Sequence, residues 1–325
     1  AKDDPSLILE SVKGLVSDGV GALAVKNIYY DVLPDEVIQY ANDVDFPIFM
    51  FDKKGSYYED IVTEIYDKNK EKNSMSFKEA KIGILLKEEL DKSSVKNMAK
   101  DFNISFKNNL FSICLKPKKY IEENSLSSII NTLNRDLGIN HAAYRYHGAI
   151  FIVYTYEDRH REKKDIDFSK LVGLAMSSLY VNLNDYYVGV SNFHKNIDEL
   201  NTALKEAMYA MRVASIEEQN KKYYYEIGVY KILMPSYNDS YMRNFYNDNI
   251  GKIKQYDQKW NTELLTTSIA YIKSEGNIKE TAKIINLHEN TVRYRINKLK
   301  EILGIKNSEF EFYEQLSIGV KLYMI

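Results

Sequence analysis

The apolar and polar positions along this chain divide it into stretches with different repeats. In residues 1–70, Leu7, Ile8, Val12, Leu15 and Val16 recur at helical spacing, and the apolar run Gly21–Val25 follows. Leu33-Pro34-Asp35 opens a second helix with proline in its first turn, Phe46–Phe51 is another apolar run, and Tyr58–Tyr66 is again helical. Strands alternating with helices predict an α/β unit built on a parallel sheet. Two strands make a small sheet, so a piece of this unit is expected upstream of Ala1. The polar stretch Asp67–Asn73 reads as a linker, and residues 71–107 as a connector that is helical over about Phe77–Asp101.

Residues 108–227 show a denser pattern. Strand Asn109–Leu115, helix Ile121–Leu137 and strands Ala142–Tyr146 and Ala149–Tyr154 are predicted in turn. The last two are joined at His147-Gly148, a tight-hairpin signal. Helix Phe168–Leu183, strand Tyr187–Val190, helix Ile197–Ala214 and strand Tyr223–Glu226 complete the order βαββαβαβ. That order predicts an α+β sandwich related to ferredoxin-like folds. No internal repeat is present, and residues 228–325 are helical throughout.

Within that last region, residues 277–304 have the pattern of a helix-turn-helix. Asn277 is placed to cap a helix, with Glu280 three residues on to complete a capping box. Ile278, Ala282 and Ile285 form one apolar face, and Ala282 is small enough to let two helices pack closely. The turn falls at Asn286-Leu287-His288, where asparagine accepts a left-handed backbone. A second helix over about Glu289–Leu303 buries Val292, Ile296, Leu299 and Leu303. Its other side is expected to carry Asn290, Thr291, Arg295 and Lys298, flanked by Arg293 and Tyr294. Arginine can take guanine bidentately, asparagine can take adenine, and threonine suits a phosphate or a thymine methyl. An ordinary helical hairpin with a solvated charged face fits the periodicity equally well.

Composition narrows these readings. A chain of 325 residues has room for two or three domains at roughly 100–200 residues each. The formal charge of -2 gives no whole-chain sign of nucleic-acid binding, so any DNA contact must come from a local basic patch. Cys114, the one cysteine, sits in an apolar run and reads as a buried core thiol. His141, His147, His160 and His194 lack metal-ligand spacing, and the 27 tyrosines are scattered. No stretch approaches the ~20 apolar residues of a membrane helix. The chain starts at Ala1, already in a helix, and reads as the trimmed remainder of a longer, cytoplasmic protein.

The residue identities then point to a family. Tyr256-Asp257, Glu263-Leu264-Leu265-Thr266-Thr267, Gly276-Asn277, Thr281-Ala282, Leu287-His288, Asn290-Thr291-Val292-Arg293-Tyr294-Arg295-Ile296 and Leu303-Gly304 resemble the C-terminal domain of PucR/CdaR-type bacterial regulators. Leu316–Met324 resembles that family's closing helix. The resemblance implies that His288, Asn290, Thr291, Arg293, Tyr294 and Arg295 contact DNA, although Tyr294 can instead pack beneath the helix. Residues 108–227 resemble the family's GGDEF-like domain, a relative of diguanylate cyclases. Residues 6–66, with Pro34-Asp35-Glu36-Val37-Ile38 and Phe46-Pro47-Ile48, resemble the latter half of its N-terminal sensory domain.

A nucleotide cyclase is the alternative reading. It needs carboxylates to hold two magnesium ions and a glycine pair to admit the nucleotide. The hairpin has Tyr146-His147-Gly148-Ala149-Ile150, with one glycine and no acid, and Phe111–Leu115 also lacks the expected acid. No catalytic residue, cofactor or metal site is therefore assigned. The expectation is a homodimeric regulator that binds double-stranded promoter DNA in response to an unidentified small-molecule effector and controls a metabolic operon.

Overall fold

A computed structural model describes residues 6–28, 31–51, 75–157, 168–177, 179 and 181–325. They fall into two compact units, Ala1–Ser74 and Met75–Ile325. In the first, α1 (Ser6–Ser17), β1 (Leu23–Lys26), α2 (Asp35–Asp43) and β2 (Ile48–Phe51) alternate as the pattern predicts. The two strands pair in parallel, with Leu23 opposite Ile48. Val12, Val37 and Phe46 form the small buried core between helices and strands. Pro34 stands one position earlier than expected, at the N-cap, where its carbonyl accepts from the Val37 and Ile38 N–H groups. The predicted helix Tyr58–Tyr66 and the linker Asp67–Asn73 lie outside the described residues.

The second unit is organised by a sheet whose inner strands are apolar on both faces. It contains β3 (Asn109–Pro117), β4 (His141–Tyr146), β5 (Ala149–Tyr156), β6 (Tyr186–Val190) and β7 (Lys221–Tyr223). Their spatial order is β4-β5-β3-β6-β7. The central strand β3 is antiparallel to both neighbours, with Cys114 opposite Phe151 on one side and Gly189 on the other, and β7 runs parallel to β6.

Because successive side chains alternate between faces, β3 supplies two separate cores. Leu110 and Cys114 join Phe151 and Val153 beneath α7 (Leu200–Ile216), while Phe111, Ile113 and Leu115 pack against α5 (Glu123–Asp136) and α6 (Phe168–Ser177). Both faces are covered, which is why β3 and β5 read as nearly unbroken apolar runs. Burial raises the Cys114 thiol well above its ordinary pKa, so it is an inert core group at neutral pH.

The connector expected over 71–107 needs correction. Its helicity is right, but it divides into α3 (residues 75–87) and α4 (Lys92–Phe102). Asp91 starts α4 by accepting from the Ser93 and Ser94 N–H groups at 2.9 and 3.0 Å. Ile82, Leu85, Val95, Ala99 and Phe102 are buried in the same core as Cys114 and Phe151, so these helices belong to the sheet domain. The strand expected at Tyr223–Glu226 is also displaced. Pairing ends at Tyr223, and Tyr224–Glu226 winds into a 3-10 turn whose Glu226 carboxylate accepts from the Tyr223 N–H at 2.9 Å. Strand β6 ends at Val190, as predicted. Helix α6 spans Phe168–Ser177, short of the predicted Leu183. The hairpin at His147-Gly148 forms as expected, with φ of 45° and 73°, the pair of left-handed residues that a two-residue turn demands.

The remaining chain is helical: α8 (Tyr230–Ser236), α9 (Ser240–Tyr246), α10 (Lys252–Trp260), α11 (Leu264–Lys273), α12 (Ile278–Ile284), α13 (Glu289–Leu303) and α14 (Glu309–Met324). A π turn over Asn247–Gly251 links α9 directly to α10. Ile250, Ile253, Leu264, Ala282, Val292, Ile296, Leu299, Phe312 and Leu316 form the core of this bundle.

Helix α7 reaches the sheet through Gly189. A Cβ built at this position would lie 2.1 Å from both the Ala207 carbonyl oxygen and the Met211 nitrogen. Those neighbours are helix backbone and cannot rotate away. Gly189→Ala is therefore expected to cost about 3 kcal/mol or more, the upper range for overpacking. Thermal unfolding checks this, and an unchanged melting temperature would show that α7 can lift off the strand.

Candidate nucleic-acid interface

Four capping interactions fix the geometry of the C-terminal helices. The Asp257 carboxylate on α10 accepts from the Leu264 and Leu265 N–H groups at 2.8 and 2.9 Å and from the Thr262 hydroxyl at 2.6 Å. It thereby caps α11 from a neighbouring helix, which ties the two together. Asn277 caps α12 as predicted, accepting from the Lys279 and Glu280 N–H groups at 3.0 and 3.1 Å. The reciprocal half of the expected capping box is replaced, because Glu280 pairs with Lys283 at 2.8 Å. His288 caps α13, its Nδ1 accepting from the Asn290 N–H at 3.2 Å. Ser308 caps α14 through the Glu311 N–H at 3.1 Å.

The turn between α12 and α13 follows from its sequence. Asn286 takes φ of 53°, and the Leu287 N–H donates to the Ala282 carbonyl at 3.0 Å, closing the end of α12. Thr281 and Ala282 are buried, so the short α12 lies close under α13. The hydroxyls of Ser274 and Thr281 meet at 2.7 Å and join α11 to α12. Helix α13 stops at Gly304, whose φ of 74° is the left-handed conformation a C-terminal cap favours.

Helix α13 buries Val292, Ile296 and Leu299, as its periodicity predicts, while Leu303, expected with them, is half-buried. Asn290, Thr291, Arg293 and Tyr294 are exposed on its first two turns, with His288 exposed at its start. Tyr294 is 69% exposed, which removes the option of packing beneath the helix. Arg293 lies 4.0 Å from the Glu289 carboxylate. Asn297, missing from the sequence-derived set, is exposed on the next turn of the same face. Its spacing of i+4 from Arg293 and i+3 from Tyr294 is the signal that could have found it.

Arg295 is placed differently from the expectation. Its guanidinium donates to the Thr267 hydroxyl at 3.0 Å and to the Glu263 carboxylate at 3.3 Å, both on or beside α11. Its side chain is only 19% exposed. The position lies three residues after Val292 and four before Leu299, which sets it on the buried side of the helix. Lys298 is also engaged: it donates to Glu301 at 2.9 Å and lies 5.6 Å from the Tyr256 ring centre. The Glu301 contact raises its pKa, so it stays cationic at neutral pH. Residues 277–304 contain six Lys or Arg against three Glu, so a chain of formal charge -2 has a locally positive segment.

Residues 264–322 match the family model for the PucR C-terminal helix-turn-helix domain. The C-terminal domain is a PucR-type helix-turn-helix. Three Bacillus subtilis (strain 168) proteins are similar over part of their length. The proline-responsive transcriptional activator PutR is 27% identical over 42% of this chain and 34% of its own. The DNA-binding transcriptional activator AdeR is 22% identical over 43% of this chain and 34% of its own. The purine catabolism regulatory protein is 26% identical over 41% of this chain and 25% of its own. The matched regions thus span between a quarter and about a third of these relatives, two of which are transcriptional activators and one a regulatory protein by name.

Beyond the PucR-type domain, the hairpin Tyr146-His147-Gly148 has no carboxylate of its own. Glu79 reaches it from α3, accepting from the His147 N–H at 2.8 Å and pairing with Arg145 at 2.8 Å. Among the described residues, no group of three or more His, Cys, Asp or Glu is placed to hold a metal ion. No helix among them is long and apolar enough to cross a membrane.

Two substitutions test how the PucR-type domain is held. Asp257→Ala removes a cap shared by two N–H groups and is expected to cost about 1–2 kcal/mol in chemical denaturation. Arg295→Ala is expected to cost about 1 kcal/mol, since its Glu263 partner is largely solvated. It should leave the preferred DNA sequence unchanged, and a shift in that preference would return Arg295 to the base-reading set.

Proposed function

We propose that this chain is a DNA-binding transcriptional regulator of the PucR/CdaR type. The observation that carries this reading is the exposed face of α13. Asn290, Thr291, Arg293 and Tyr294 are exposed on the first two turns of a helix held by caps at both ends. Helix-turn-helix proteins place the N-terminal residues of this helix in the major groove. In this reading Asn290, Arg293, Tyr294 and Asn297 face base edges, while Thr291, His288 and Lys298 serve the phosphates at the flank. Arg295 holds the helix in place.

The rest of the chain fits the same reading. The strand order β4-β5-β3-β6, with β3 antiparallel to both neighbours, supports a ferredoxin-like, GGDEF-like middle domain with β7 added at its edge. The acid-free hairpin supports a structural or sensing role for that domain and no cyclase activity. We place its start at α3 and the helical output domain at about residues 228–325. The α/β unit before it is read as part of a sensory domain. PutR is by name proline-responsive, and by analogy this chain would answer a small metabolite in the cytoplasm and control a metabolic operon. A homodimer would set two copies of α13 on half-sites about one helical turn apart, roughly 34 Å.

Gel-shift titration against DNA from upstream of the protein's own gene tests the proposal. Specific retardation is expected, and Arg293→Ala should weaken it by about 1–3 kcal/mol if the guanidinium takes a guanine. Absence of any sequence preference on footprinting would overturn the reading.

A further inference from the structure

An unassigned cleft of 670 Å³ lies on the α7 face of the sheet. That volume lies in the range of small-molecule sites, roughly 300–1,000 Å³. Five parts of the chain build it: the end of α3, the end of β3, the β4–β5 hairpin, the second half of α7 and the segment around Met234–Asn238. Its depth is chemically graded. Cys114, Phe151, Met211 and Met234 line it and are buried, so the floor is apolar and closed. Lys87, Lys116 and Arg212 line it and are exposed, so the mouth is cationic. Among the described residues that line the cleft, none carries a carboxylate.

These cations differ from several others in the same unit. Lys81, Arg145, Lys222 and Lys273 in the same unit each pair with a carboxylate. Among the described residues, no ion pair joins Lys87, Lys116 or Arg212 to a carboxylate. Three cations converging on one opening without counter-charges raise the local potential, and an anion entering there would relieve it. A bare inorganic ion would satisfy the mouth but leave the apolar floor unfilled. A wholly apolar molecule would fill the floor but gain nothing from the mouth.

We propose that this cleft binds a small organic anion, with a carboxylate or phosphate held by Lys116 and Arg212 and an apolar or aromatic body against Phe151 and Met234. Arg212 offers the planar fork that suits either headgroup, and Lys87 adds charge at the rim. The flexible side chains of Met211 and Met234 can adapt to the body's shape. Binding here is independent of the DNA-binding reading, because no residue of α12 or α13 takes part.

The test uses the full chain without DNA and follows phenyl phosphate and benzoate by saturation-transfer NMR. Phenyltrimethylammonium is the cationic comparator of similar size. Saturable binding of at least one anion and none of the cation is expected, and the tighter anion identifies the headgroup. Arg212→Gln with Lys116→Gln should weaken binding about tenfold or more, whereas Lys96→Gln on α4 should leave it unchanged. Both cleft positions are exposed, so the melting temperature should hold, and circular dichroism verifies that the variant is folded. Failure of both anions to bind, equal binding of the cation, or full affinity in the folded double variant would overturn the proposal. A gel shift on the same variants reads the DNA-binding function separately.

Discussion

The second unit depends on how closely α7 can approach the sheet. A helix normally stands off a strand by the thickness of side chains on both, and here that thickness is nearly removed. Gly189 offers no side chain, and Ala203, Ala207, Ala210 and Ala214 keep α7 slim along its buried surface. The gain is burial on two sides of one helix. Leu200, Leu204 and Met211 reach the core shared with α3 and α4, while Ala210 and Val213 pack on Ile227, Tyr230 and Met234. Ile325, at the far end of α14, joins this second cluster. Helix α7 is thus the part through which the sheet domain and the helical domain touch the same residues.

The helical domain solves a different problem. Its helices are short, seven residues in the case of α12, and isolated helices of this length are not stable in water. Polar ends supply what length cannot. Asp257, Asn277, His288 and Ser308 each satisfy N–H groups that the first turn leaves open, and Gly304 closes the end of α13. Apolar contacts among Leu264, Ala282, Val292, Ile296, Phe312 and Leu316 then hold the capped pieces together.

Much of this was legible in the sequence because it depends on local rules. The His147-Gly148 hairpin, the Asn277 cap, the Asn286 turn and the buried stripe of α13 each follow from two to four neighbouring residues. The parts that were not legible depend on distant ones. Phe77–Asp101 reads as helix from its own periodicity, but only the sheet shows that Ile82 and Phe102 have a core to enter. Asp257 caps a helix seven residues away across a turn, which no i+3 rule detects. Arg295 illustrates the limit best. Residue type suggested a base contact, whereas its spacing from Val292 and Leu299 had already placed it on the inner side. The exposed face of α13, with Asn290, Arg293 and Tyr294, was legible because polar residues at helical spacing have no reason to be buried.

The latch from Arg295 to Glu263 and Thr267 separates two duties within one helix. The orientation of α13 is set from its inner side, by an arginine and three apolar residues that never meet the ligand. Its outer side is left with no structural obligation beyond being soluble and helical. Such a helix can have its reading residues rewritten without a new scaffold, so operator preference can diverge between descendants of one domain while the fold stays fixed. Under the proposed function, the inner face keeps the architecture and the outer one carries the address.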